Sequence, residues 1–130
     1  MAPAVADTLI RFFKESKTTP SDYDLIITGD LGYEGGSILN DLLTIEGIDV
    51  SDNYTDCGIL MFDKEKQDTH AGGSGCVCSA AVISAHILPE MEKGKIKKTI
   101  FVASGALMSP DSIKQGKSIP SIGHLLVFES

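Results

Sequence analysis

Two short apolar runs constrain this chain most: YDLIITGD at Tyr23–Asp30 and KKTIFVASG at Lys97–Gly105, each reaching a glycine once its apolar residues end. Unbroken apolarity over so few residues, rich in β-branched side chains, is the pattern of a strand covered on both faces. Such strands need helices above and below them, and the intervening sequence has helical spacing. The chain therefore reads as a layered α/β fold with a mixed sheet and packed helices, residues 1–130 forming a single domain. Its ligand face should lie at the glycine-rich loops that follow the strands.

The helical segments are legible by period. Val5, Leu9, Phe12 and Phe13 recur at i, i+4, i+7 and i+8 and predict an amphipathic helix over Ala4–Glu15, stopping by KTTPSD. After a loop at LGYEGG, Ser37 is placed to cap a helix carrying Ile38, Leu39, Leu42, Leu43 and Ile45, with Gly47 ending it. The stretch IDVSDNYTDCG reads as turn, ILMFD (59–63) as a short strand and KEKQDTHAGGSG as a polar connection. A third helix is predicted from Cys76 to Lys93, with small residues along one side. Pro89 should kink it or start its last turn, and Gly94 should end it. ALMSPDSIKQGKSIP reads as a long loop and IGHLLVFES as a further strand, also buried.

Charge narrows the function classes. The 130 residues carry a net charge of −7, and their largest basic cluster is KGKIKK at Lys93–Lys98. A nucleic-acid partner is not expected, because that affinity rests on neutralising phosphates. No stretch approaches the roughly 20 apolar residues of a membrane span, and no basic segment precedes the apolar residues of the N-terminus, so a soluble chain without signal peptide is expected. Cys57, Cys76 and Cys78 are odd in number, with two only one residue apart, which favours reduced thiols over a structural disulfide.

Chemistry concentrates in QDTHAGGSGCVC at Gln67–Cys78. A glycine-rich loop feeding a helix aims N–H groups and the positive end of the helix dipole at one point, which suits an anion. The competing reading is a tight turn that needs glycine only for positive φ. Neither GxGxxG nor a P-loop is present, so nucleotide binding lacks its usual lysine. Cys76 and Cys78 could offer two thiolates, but a closed zinc site needs four ligands, so no metal is assigned and the thiols read as small packed residues. His70, two residues after Asp68, either touches a ligand or is solvated. His124 is a satisfied core residue or a pocket wall, and His86 is a helix residue. A Cys76–His70 or Cys57–His70 nucleophilic pair remains open.

Several blocks in order, YDLIITGDLG, DCGILMFD, QDTHAGGSGCVCSA, FVASGALMSP and QGKSIPSIGHLLVFE, resemble the C-terminal half of the stage V sporulation protein AD family of endospore-forming bacteria. That family's fold is similar to thiolases and ketoacyl-carrier-protein synthases. The resemblance implies a single C-terminal half of a thiolase-like fold, the N-terminal half being absent, and hence an uncovered apolar surface, so that the chain is expected to self-associate as a homo-oligomer, mimicking the missing half, or to be only marginally stable. It implies binding of dipicolinic acid, free or as its calcium salt, and support for its uptake into the developing spore. Other stage V sporulation A membrane proteins are the implied partners, at the inner membrane of the spore, and no cofactor is implied.

The same resemblance argues against an enzyme. The thiolase nucleophile lies in the first half, and the Cys-x-Gly segment of the second half is replaced here by ASGA, which offers Ser104. His70 holds the place most similar to the second-half histidine. The ligand contacts implied are His70, Gly72, Gly73 and Ser74, with His124 as a further polar contact. An acyl-transfer enzyme, or a degenerate remnant of one, is the alternative.

Overall fold

The computed structural model describes residues 1–71 and 75–130. Helix α1 (Ala2–Ser16) buries Val5, Ala6, Leu9 and Phe13 on one stripe and stops at Lys17, which adopts a left-handed conformation. Strand β1 (Leu25–Thr28) follows, then helix α2 (Gly32–Ile45), strand β2 (Tyr54–Asp56) and the short helix α3 (Cys57–Met61). Helices α4 (Cys78–Val82) and α5 (Leu88–Glu92) are joined by a π-turn at Ile83–Ile87 into one continuous rod. Strand β3 (Lys98–Ala106), helix α6 (Pro110–Lys114) and strand β4 (Ser121–Glu129) complete the chain.

The sheet has the order β2-β1-β3-β4. Strands β2 and β3 run parallel to β1, and β4 returns antiparallel along β3 in an unbroken register from Lys98↔Glu129 to Ala106↔Ser121. Successive side chains of a strand point to opposite faces, and the two cores divide accordingly. Ile26, Ile100 and Val102 pack with α1 and α2 on one face, and Ile27 and Phe101 pack with Cys57, Cys78, Val82, Ile83 and Ile87 on the other. The layered α/β class with a mixed sheet read from the sequence is the observed one.

The interior of the sheet holds one fully buried carboxylate, Asp56 at the end of β2. Its Oδ1 accepts from Thr28 Oγ1 at 2.5 Å and from Leu31 N at 2.8 Å. Its Oδ2 accepts from Gly32 N at 3.0 Å and Gly58 N at 2.9 Å. With Thr28 donating to Asp56, the Tyr54 hydroxyl, 2.9 Å away, donates to Thr28. A buried charge is tolerated only when its lone pairs are met by donors, and here both oxygens are.

This carboxylate accounts for two departures from the sequence reading. The short strand is not ILMFD but YTD just before it, because Asp56 caps the next turn and ILM continues as helix. Helix α2 begins at Gly32, five residues before Ser37, which lies exposed inside it. Its first N–H groups need acceptors, and these come from distant sequence: Asp56 takes Leu31 and Gly32, and the Ala71 carbonyl takes Tyr33 at 2.8 Å. LGYEGG can be helical despite its glycines because the helix sits tight on β2: a Cβ on Gly36 would stand 3.1 Å from the Tyr54 hydroxyl oxygen.

Other expectations match. Gly47 and Gly94 end their helices at positive φ. Pro89 stands in the first turn of α5, where its missing N–H costs nothing, and the π-turn before it carries the Leu88 N–H back to the Ile83 carbonyl. The long loop after β3 contains α6, capped by Ser109.

Replacing Asp56 with Asn keeps the shape but turns an NH2 group toward backbone donors. The variant should lose about 2–4 kcal/mol of stability by urea unfolding, the cost of leaving buried donors unmet. An unchanged midpoint would remove Asp56 from this role.

Candidate functional site

The chain leaves β1, crosses through α2 to β2 on one side, and later enters β3 on the other side of β1. The crevice between β1 and β3 at their carboxyl ends is therefore the topological switch point, where open parallel sheets bind ligands. Gly29–Leu31 after β1 meets the end of β3 at Ser104 there, and Ala71 and Gly75 are bonded to the residues that follow β1.

Glycine is required at the floor. Gly29 N–H donates to the Val102 carbonyl at 2.9 Å, and a Cβ on Gly29 would stand 3.2 Å from the backbone nitrogen of Ser104. Asp30, the next residue, accepts from Gly75 N at 2.9 Å and ties the far end of the loop to β1. The near end is tied by the Ala71 carbonyl on the α2 amides. Two hydroxyl oxygens at this end of the molecule, Ser104 Oγ and Thr69 Oγ1, are buried without a hydrogen-bond partner. Buried polar atoms normally have one, so each is a point where a ligand or water can be held.

His70 lies beside this loop in a left-handed conformation, φ 48°, with its ring highly exposed and Nδ1 3.5 Å from Asp68 Oδ1. The geometry presents an imidazole to solvent. Gly72, Gly73 and Ser74, the remaining loop contacts expected from the sequence, lie outside the described residues. His124 differs from expectation: it is exposed, opposite Ala103 on β4, because β4 is the edge of the sheet and not an internal strand. His70 and His124 share no hydrogen bond or ion pair among those described. Nor is the start of α2 an anion site, since its amides are already met by Asp56 and Ala71.

The thiols divide. Cys57 and Cys78 are buried in the same apolar cluster, whereas Cys76 is exposed, so the reading of packed thiols holds for Cys78 and not for Cys76. Burial pushes the Cys57 thiol up to about 12, and the adjacent Asp56 carboxylate and Cys78 push in the same direction. A thiol held protonated in this way is a poor nucleophile, which removes the Cys57–His70 pair. Among the described residues no group of three or more His, Cys, Asp or Glu side chains is placed to hold a metal ion.

The family described as Stage V sporulation protein AD matches residues 1–129. The chain belongs to this family. Over 129 residues it is 46% identical to Stage V sporulation protein AD of Bacillus subtilis (strain 168), an alignment covering 99% of this chain and 38% of that relative. The chain thus spans well under half the length of the relative it matches. As a member of the family it is a sporulation protein, and no described helix is long and apolar enough to cross a membrane.

The crevice residues Asp30, Asp56, Thr69 and Ser104 were not singled out as a group from the sequence. One local signal existed: Asp56 followed two positions later by Gly58 is the spacing of a side chain bonding the backbone two residues on.

A thiol-specific reagent at about pH 8 should modify Cys76 at once, and Cys57 and Cys78 only when the chain unfolds. Rapid modification of all three in the folded chain would contradict the burial described.

Proposed function

We propose that this chain is the ligand-holding, non-catalytic part of its family's fold, a thiolase-like half that binds dipicolinic acid and supports its uptake into the developing spore. The observation that supports the reading is two buried hydroxyls without a hydrogen-bond partner, Ser104 at the end of β3 and Thr69 next in sequence to the exposed imidazole of His70. Dipicolinate is a flat dianion with a ring nitrogen between two carboxylates. It calls for hydroxyl and N–H donors, a cationic or imidazole group and an apolar wall. His70 supplies the charge-assisted contact, and Gly72, Gly73 and Ser74 supply loop donors. His124, on the edge strand, is the weaker contact of the set.

The absence of catalysis belongs to the same reading: Cys57 is buried and held protonated, and exposed Cys76 with His70 is left to the acyl-transfer alternative. Membrane proteins of the same sporulation group are the proposed partners, with the chain peripheral to the inner spore membrane. The remainder of a longer family member would complete the pocket.

Calorimetric titration of dipicolinate, with and without calcium, tests this on the chain, a His70→Ala variant and a Ser104→Ala variant. Saturable binding is expected, weakened about tenfold or more in each variant, the scale of one hydrogen bond to a charged group. Undiminished binding in both variants would displace the site from the crevice, and covalent acyl-enzyme formation on incubation with acetyl-CoA would favour the acyl-transfer alternative.

A further inference from the structure

Strand β4 is the outer edge of the sheet, and its bonding phase can be worked out from its two ends. Just beyond the ladder, Ser130 N–H donates to the Lys97 carbonyl at 2.9 Å and Leu107 N–H donates to the Pro120 carbonyl at 3.0 Å. In an antiparallel pair, bonded and non-bonded residues alternate, so the even-numbered residues of β4 bond to β3. The odd-numbered residues, Ser121, Gly123, Leu125, Val127 and Glu129, turn their N–H and C=O groups outward. The Thr8 hydroxyl agrees with this phase, since it donates to the Gly123 carbonyl from α1 at 2.9 Å.

This edge lacks the usual protection against pairing. It is nine residues long, unbroken in register, without proline or lysine, and Glu129 is its one charged residue. Ile122 and Leu126 are 51% and 52% exposed on the α4–α5 face, and Val127 is 40% exposed on the other. Natural edges are normally short, charged, bulged or covered, and an exposed apolar edge strand is a template for another strand.

We propose that β4 pairs antiparallel with β4 of a second copy of the chain, about a twofold axis through Leu125, joining the two four-stranded sheets into one. The proposal rests on the fold and is independent of the ligand reading. The strand is complementary to itself in that register. Leu125 faces Leu125 of the second copy, Gly123 faces Val127, His124 faces Leu126, Ile122 faces Phe128 and Ser121 faces Glu129. The outward-turned odd residues become the hydrogen-bonded pairs, as the phase requires. Ile122 gains an aromatic neighbour, and at Gly123, where Val5 of α1 already fills the side-chain face, the pairing is made by backbone groups alone. The two Glu129 carboxylates lie at opposite ends, each facing a serine hydroxyl, so a chain of net charge −7 brings no like charges together along the seam. Thr8 occupies one lone pair of the Gly123 carbonyl and leaves the second for the N–H of Val127 of the second copy.

Sedimentation equilibrium on the chain, a Val127→Pro variant and a Leu126→Lys variant tests the proposal. Proline at position 127 removes an outward N–H and spares the ladder to β3, as tolerated on edge strands. Lysine at 126 puts a charge on the exposed strip and leaves the backbone intact. The expected result is a concentration-dependent dimer for the unmodified chain over about 1–100 µM, with dimerisation weakened at least about tenfold in both variants while their circular dichroism is unchanged. If Val127→Pro fails to fold, Leu126→Lys alone decides. A monomeric chain throughout that range, or a folded variant that dimerises as the unmodified chain does, overturns the proposal.

Discussion

The buried carboxylate of Asp56 is the interaction on which the ligand end of this fold depends. Its two oxygens gather a hydroxyl from β1, two amides from the start of α2 and one from the start of α3. In one stroke it fixes the exit of β1, the beginning of the helix behind it and the turn after β2. Burying an ion in an apolar layer carries a large desolvation cost, and full hydrogen bonding is what offsets it. Removing the carboxylate would leave four donors facing each other with no acceptor between them.

From that anchor the crevice follows. With α2 started at Gly32, the Ala71 carbonyl can reach its next amide, and that bond holds the segment carrying Thr69 and His70 against the start of α2. Asp30 holds the other end of the loop through Gly75. The first amides of α2 are met by internal acceptors, so this helix start offers no free donors to an anion.

What the sequence revealed was whatever is decided locally. The apolar period of α1, the unbroken apolarity of β1 and β3, and the glycines closing α2 and α5 depend on near neighbours in the chain, and each was legible. The start of α2 was not, because its amides are satisfied by residues about one strand and one loop away in space and roughly 25 or more positions away in sequence. β2 was misplaced by a few residues for the same reason: YTD has too little apolarity to announce a strand, and only its pairing with β1 makes it one. The strand IGHLLVFES was read as buried because LLVF looks like a core strand in any context; position at the edge of a sheet is a property of topology, not of composition. The family, by contrast, was legible from long blocks in order. Of the candidate site, His70 and its loop were named from the sequence, while the unpartnered hydroxyls of Ser104 and Thr69 are visible only in the folded chain, because burial is a property of packing.

Amide hydrogen exchange of the native chain, read at Leu31, Gly32 and Gly58, tests the anchoring role of Asp56 most directly. The account predicts that these three amides, which flank loops and helix starts, exchange as slowly as the central amides of β1 and β3, because opening any of them exposes the buried carboxylate. Exchange at the rate of ordinary loop amides would show that the carboxylate does not hold this end of the fold together.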